Sequence, residues 1–257
     1  MLIVQLSDLH VCLREPLSAK NAFAQRAIDA VARLSPQPDA VIVTGDLTEF
    51  GTPDEYEYLH RLLAPLGAPV FAIPGNHDDR EAMRVHFPLN GHGAPGAPLN
   101  GVVETRPVRL IGLDSTIPGR VEGALAEATL DFLEEMLAKE PETPALVFVH
   151  HPPFLTGLDS KDDIRLFEGA ERLESILSRH PQVERIVCGH YHRAIQGRFG
   201  NAVCQVAPPI RYMTPAERGD RAGHESDEEL PGFLLHRWIG GAGLVTHICP
   251  IPLDGTG

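Results

Sequence analysis

The chain has 257 residues, 43% of them apolar, and a formal net charge of −13. That is apolar material for one large domain with a sizeable core, and it holds no uninterrupted apolar run of about 18 residues that could cross a membrane. The acidic balance argues against a nucleic-acid polymer as partner, because such binding relies on rows of Lys and Arg.

Leu2–Leu6 is an apolar run with no basic stretch ahead of it, and it reads as a first strand rather than a signal peptide. Ser7-Asp8-Leu9-His10 follows at once. Ser18–Leu34 places Phe23, Ala27, Val31 and Leu34 at helical spacing. Ala40–Thr44 reads as a buried strand ending in Gly45-Asp46. Thr52-Pro53-Asp54-Glu55 is a helix start, with Thr52 as cap, Pro53 at the first helical position and Glu55 closing a capping box. The helix behind it carries Leu59, Leu62, Leu63 and Leu66 on one stripe, and Asp54, Glu55 and Glu57 read as its solvated face. Val70–Ile73 is a strand ending in Gly75-Asn76-His77-Asp78. Phe87–Gly101, rich in Gly, Pro and Asn, reads as a loop.

Val108–Leu113 predicts a further strand, Leu130, Leu133 and Leu137 a third helix, and Leu173, Ile176 and Leu177 a fourth. Ala145–Val149 ends in His150-His151, and Arg185–Cys188 in Gly189-His190-Tyr191-His192. Ile210–Pro231 is polar, with Glu225, Asp227, Glu228 and Glu229 close together, and predicts a surface loop. Gly232–Trp238 and Leu244–Ile248 predict a hairpin around Gly240-Gly241-Ala242-Gly243. The rhythm is that of a layered α/β domain over residues 1–209. Residues 210–257 are a surface loop and hairpin that complete the same domain or make a subunit contact. The apolar stretch Gly232–Pro252, with Phe233, Leu234, Leu235, Trp238 and Ile239, is the segment assigned to self-association.

Asp8, His10, Asp46, Asn76, His150, His190 and His192 all lie just past the ends of apolar runs. In α/β sheets ligands gather outside the carboxyl ends of the strands, so these donors are expected in one place. Asp8 and His10 are two apart, as are His190 and His192, and on an extended chain such residues project to one side. Carboxylate, amide and imidazole together suit a divalent ion such as Zn, Mn or Fe. Two ions bridged by a carboxylate are a known device for phosphoryl chemistry.

The motifs Asp8-Leu9-His10, Gly45-Asp46, Gly75-Asn76-His77-Asp78, His150 and Gly189-His190-Tyr191-His192, in that order over residues 8–192, resemble those of calcineurin-like metallophosphoesterases. The resemblance implies an α/β fold of two sheets packed as a sandwich and flanked by helices, four layers in all. It implies two divalent transition-metal ions, Fe, Mn or Zn. Asp8, His10, Asp46 and His192 would hold one ion; Asp46, Asn76, His150 and His190 would hold the other. His77 would face the phosphate, with Asp78 orienting its ring, and Asn76 would add an amide hydrogen bond. Ser7-Asp8-Leu9-His10, Gly45-Asp46-Leu47-Thr48, His150-His151-Pro152-Pro153 and Leu110-Ile111-Gly112-Leu113-Asp114-Ser115 are similar to the bacterial cyclic-nucleotide and glycerophosphodiester phosphodiesterases.

The reading is therefore a cytoplasmic, metal-dependent phosphoric diester hydrolase with His77 and Asn76 as catalytic residues. Its substrate would be a small phosphodiester, a 3′,5′-cyclic nucleotide ahead of a glycerophosphodiester. A broad-specificity phosphoesterase and a non-catalytic metal-binding scaffold are the alternatives. Few basic residues flank the motifs, Arg80 and Arg193 excepted, which favours a singly charged diester over a monoester dianion. Other features read as ordinary structure. His151 fills a variable slot. His60, His86 and His180 lie on or beside helices, His92 and His224 in loops, and His236, His247 and Trp238 in the hairpin. Cys12, Cys188, Cys204 and Cys249 form no C-x-x-C pair and read as reduced core residues.

Overall fold

Each apolar run read as a buried strand is a strand in the computed structural model, which describes residues 1–87, 94–211 and 230–252, though Val70 and Phe71 of Val70–Ile73 are half-buried. In chain order the elements are β1 (Leu2–Leu6), a 3-10 turn (Leu17–Lys20), α1 (Asn21–Ala32), β2 (Ala40–Thr44), α2 (Pro53–Leu63), β3 (Val70–Ile73) and α3 (Arg80–His86). Then come β4 (Gly101–Val103), β5 (Arg109–Leu113), β6 (Gly123–Ala124), α4 (Glu127–Lys139), β7 (Ala145–Val149), α5 (Asp159–Asp162), β8 (Leu166–Glu168) and α6 (Ala170–Arg179). The last strands are β9 (Val183–Cys188), β10 (Ile195–Phe199), β11 (Ala202–Val206), β12 (Gly232–Ile239) and β13 (Gly243–Pro250).

One sheet runs β13-β12-β1-β2-β3 and the other β10-β11-β9-β7-β5-β4. In the first, β1, β2 and β3 are parallel; in the second, β5, β7, β9 and β11 are. Alternate side chains explain the continuous apolar runs. Ile3, Ile42 and Ile73 face Leu110, Leu146, Phe148 and Val187 of the second sheet across the sandwich. Val4, Leu6, Val41 and Val43 face the other way, onto Ala27, Ile28 and Val31 of α1 and Leu59 and Leu63 of α2. Val147 and Val149 likewise meet Leu130, Leu133, Leu173 and Ile176 of α4 and α6. Strands covered on both faces need no polar alternation. The result is four layers: helices, sheet, sheet, helices.

The start of α2 is built as its sequence dictates. Thr52 accepts from the Glu55 backbone N–H, and the Glu55 carboxylate accepts from the Thr52 and Phe50 N–H groups. Glu55 is 1% exposed, so it belongs to the cap and not to the solvated face expected of it. The hairpin β12–β13 closes the first sheet against β1. Phe233 and Leu234 are buried in it, and Leu235 and Trp238 pack on the core. Of the apolar side chains in the segment assigned to self-association, Ile239 and Ile248 are exposed, while Phe233, Leu234, Leu235 and Trp238 pack within the chain. Strands β10 and β11 were not expected, although Gly200-Asn201 between Phe199 and Ala202 is a two-residue turn signal. Residues 88–93 and 212–229, with His92, His224 and the acidic group Glu225–Glu229, lie outside the described residues. Among those described, no helix is long and apolar enough to cross a membrane.

His236 of β12 is fully buried. Gln5 gives its amide hydrogens to Thr44 Oγ1 and the Cys188 carbonyl, so its Oε1 is free to accept from His236 Nε2 at 3.2 Å. Burial first, and the charge of Arg185 second, push the His236 pKa down to about 3. The unfolded ring takes a proton near pH 6.5, so between these values the unfolded chain binds more protons and stability falls as pH falls. His236→Gln should therefore lose less urea-unfolding free energy than wild type between about pH 7 and pH 4.5. Identical pH slopes in the two proteins would contradict a neutral buried ring.

Candidate metal centre

The ends of β1, β2, β3, β7 and β9 bring all seven expected donors together. His192 Nε2 lies 3.2 Å from Asp8 Oδ1 and 3.1 Å from His10 Nε2. Asp46 Oδ2 lies 3.6 Å from His10 Nε2 on one side and 3.5 Å from His150 Nε2 on the other. Asn76 Oδ1 is 3.2 Å from His150 Nε2. The His190 ring lies edge-on to His150, centroids 4.9 Å apart. One carboxylate oxygen is thus shared by two groups of donors. Ligand atoms of Asp8, His10, Asp46 and His192 all fall within 4.8 Å of one another.

The backbone that achieves this is not extended, as the i, i+2 argument supposed. Asp8 (φ 55°), His10 (φ 45°), Asp46 (φ 49°), His190 (φ 72°) and His192 (φ 49°) are all left-handed, and among the described residues they are the non-glycine residues with positive φ. Each such residue costs on the order of 1 kcal/mol. Asp and His tolerate the region better than most side chains. Close approach also explains two motif glycines. A Cβ on Gly75 would run into the Asp46 carboxylate, and one on Gly189 into Ser7 Oγ.

The donors fit a cation. Burial opposes ionisation of Asp8 and Asp46, yet His192 and His150 hold both carboxyls below the ordinary range. Burial likewise opposes a charge on His150, but the Asp46 carboxylate raises its pKa to about 9. Its Nδ1–H donates to the Thr44 carbonyl at 2.7 Å, while Nε2 faces acceptor oxygens of Asp46 and Asn76. Two acceptors and an imidazole lone pair aimed at one point require a positive charge between them, from a proton or from a metal that displaces it.

Other residues take positions the sequence did not give. The His77 N–H donates to Asp46 Oδ1, and its Nδ1 meets the Glu49 carbonyl at 3.0 Å. Asp78 does not orient that ring. Its carboxylate accepts from the backbone of Leu47, Thr48 and Gly75 and from the Tyr56 hydroxyl, tying the β2 and β3 loops together. Glu49, overlooked in the motif reading, brings Oε2 to 3.1 Å from His10 Nδ1. His151 has both ring nitrogens engaged, with Ser115 Oγ (2.7 Å) and the Val121 carbonyl (3.1 Å), and burial pushes its pKa down to about 3. Cys188 packs against Cys204, sulfurs 3.8 Å apart, away from the donors. Arg80 is bound to Asp114 and Thr116.

A cleft of about 280 Å³ opens over Asp8, His10, His77, His190 and His192, and Lys20, Lys161 and Arg211 also line it. Basic residues thus reach the site from parts of the chain remote from the motifs, which removes the expectation that few are near. No local sequence signal marks them.

A two-sheet α/β sandwich with buried carboxylates and imidazoles gathered at its strand ends carries the donor set of a divalent-metal site. The profile of the calcineurin-like phosphoesterases matches residues 1–194. The chain is 35% identical over 251 residues to a probable glycerophosphodiester phosphodiesterase of Arcobacter nitrofigilis, covering 96% of this chain and 92% of that protein. It is 34% identical over 249 residues to a 3′,5′-cyclic adenosine monophosphate phosphodiesterase of Pseudomonas aeruginosa, covering 93% and 85%. A dimetal phosphatase from Danio rerio has the same fold, with a TM-score of 0.69 at 14% identity over 98% of this chain and 99% of that one. The chain belongs to the calcineurin-like phosphoesterase family.

The left-handed ligand positions make a stability prediction. In metal-free protein, His192→Gly should be more stable than His192→Ala by about 1 kcal/mol, because Ala keeps the Cβ clash at positive φ. Urea unfolding in the presence of a chelator measures it. A more stable Ala variant would mean that the backbone at 192 relaxes once the imidazole is gone.

Proposed function

We propose that the chain hydrolyses small phosphodiesters at two divalent transition-metal ions, with 3′,5′-cyclic nucleotides ahead of glycerophosphodiesters as substrate. The carrying observation is the single Asp46 oxygen between His10 and His150. It supports Asp8, His10, Asp46 and His192 as the holders of one ion, and Asp46, Asn76, His150 and His190 as the holders of the other. Oxygen and nitrogen donors in this mixture suit Mn, Fe or Zn. When bound, such ions neutralise phosphoryl charge and acidify water.

The remaining work falls to the chain's own groups. Asn76 turns Oδ1 toward His150, which leaves its NH₂ to donate to a phosphate oxygen. His77 is fixed by Asp46 and the Glu49 carbonyl and lines the cleft. With Nδ1–H on that carbonyl, Nε2 is the ring atom placed to give a proton to the leaving alkoxide. The chain is a metal-dependent phosphodiester hydrolase, and its relatives in Arcobacter nitrofigilis and Pseudomonas aeruginosa support diesters as the substrate class. The cleft volume suits a small ligand. The glycerophosphodiester alternative is favoured by the near-complete coverage of the Arcobacter relative.

Two measurements test this. Elemental analysis of metal-reconstituted protein should approach two ions per chain, with Asp46→Ala losing both and Asn76→Ala mainly one. Full activity at a firm stoichiometry of one would refute the paired site. His77→Ala should depress hydrolysis of cyclic AMP at least about tenfold more than that of bis(p-nitrophenyl) phosphate, whose leaving group needs little protonation. Equal losses would make His77 a charge stabiliser instead.

A further inference from the structure

The sequence contains three lysines, Lys20, Lys139 and Lys161. Lys139 pairs with Glu135 on the outside of α4. The other two both line the metal cleft. Lys20 ends the 3-10 turn before α1 and Lys161 lies in α5, so they reach the cleft from elements that carry no expected metal ligand. Lys161 is 7% exposed and, as is usual for a buried charged side chain, is engaged with a partner. Apolar packing of its stem would account for one such lysine. It does not account for two of the chain's three lysines meeting in one cleft.

The local charge balance also runs against that of the molecule. Acids outnumber Lys and Arg by 35 to 22 in the chain as a whole. Among the described residues that line the cleft, apart from the expected ligands, the charged ones are Lys20, Lys161 and Arg211 against Glu49. An ammonium group is a compact charge with three donors, suited to phosphate or carboxylate oxygens.

We propose that Lys20 and Lys161 form an anion subsite beside the metal ligands that favours ligands carrying two negative charges over those carrying one. The inference rests on the phosphodiesterase reading and refines it. Attack of hydroxide on a singly charged diester breaks one P–O ester bond and yields a doubly charged monoester and an alcohol, so the subsite holds the product more tightly than the substrate. It also ranks diesters with a further anionic group above those without one.

The test uses full-length, Mn-loaded protein at about pH 8, where a phosphomonoester is a dianion. Three substrates share the p-nitrophenolate leaving group. Bis(p-nitrophenyl) phosphate has one charge. p-Nitrophenyl phosphate has its second charge on the scissile phosphoryl, and thymidine 3′-phosphate 5′-(p-nitrophenyl phosphate) carries extra charge on the retained alcohol. In Lys161→Met and Lys20→Met, kcat/KM for at least one multiply charged substrate should fall about tenfold relative to that for bis(p-nitrophenyl) phosphate, mainly through KM. Which one falls locates the second charge. By calorimetry, inorganic phosphate should lose about tenfold more affinity than dimethyl phosphate, and Lys161→Arg should recover most of it. The partly exposed Lys20 guards against a Lys161 variant that fails to fold. Equal losses on all three substrates, or unchanged phosphate binding in both variants, would overturn the subsite. Absence of diester turnover in wild type would instead overturn the function on which it rests.

Discussion

Five proposed ligand positions in left-handed backbone are the constraint around which this molecule is organised. A strand end that simply continued would carry its side chains along the sheet. A residue at positive φ turns the chain back, so that Asp8 and His10, or His190 and His192, point into the cleft between the sheets' ends. The conformation is costly wherever a Cβ is present, and it persists because neighbours over-determine it. The β1 and β2 chains stay zipped beyond their strands, with Asp8 N–H on the Gly45 carbonyl and His10 N–H on the Asp46 carbonyl, both 3.0 Å. Asp8 in turn accepts the His190 N–H at 3.0 Å, which fastens the β1 loop to the β9 loop across the sandwich. The proposed ligands are therefore also the braces of the turns that present them.

That bracing works only if the two sheets hold a fixed relation. Gln5 supplies part of it, reaching from β1 to the Cys188 carbonyl at the end of β9 (2.9 Å) while also bonding Thr44 (2.9 Å). His236 and Thr246 of the hairpin complete the chain of polar contacts. Buried networks of this kind are favourable only when every member is satisfied, and here the members come from β1, β2, β9, β12 and β13. The C-terminal hairpin thus contributes to the catalytic end of the sandwich without lending it a ligand. Asp78 does the same from the other side, its carboxylate gathering the β2 and β3 loops.

The legible part of the sequence was the part governed by local rules. Continuous apolar runs gave the strands because both faces are covered, and Thr52-Pro53-Asp54-Glu55 gave the start of α2 because a capping box is a local structure. Motif order pointed to Asp8, His10, Asp46, Asn76, His150, His190 and His192 as metal ligands, and the fold gathers them at neighbouring strand ends. What could not be read locally depends on contacts far apart in sequence. Glu49 matters because its carboxylate meets His10 and its carbonyl meets His77. His77 takes its orientation from that carbonyl rather than from Asp78, its neighbour in sequence. Lys20 and Lys161 stand in weakly patterned segments and acquire meaning only when the fold sets them over the same donors.

The distribution of charge also bears on the size of substrate proposed for the site. A polyanion meets the whole surface, and a chain of net charge −13 repels it over its length. A small phosphoester meets little beyond the cleft, where, among the described residues and apart from the expected ligands, Lys20, Lys161 and Arg211 outnumber Glu49. Screening over a Debye length of about 8 Å at physiological salt lets that local reversal prevail for a ligand already at the mouth. A ligand spanning several such lengths still feels the acidic exterior. An acidic protein can in this way serve an anionic substrate, provided that the substrate is small enough to be enclosed.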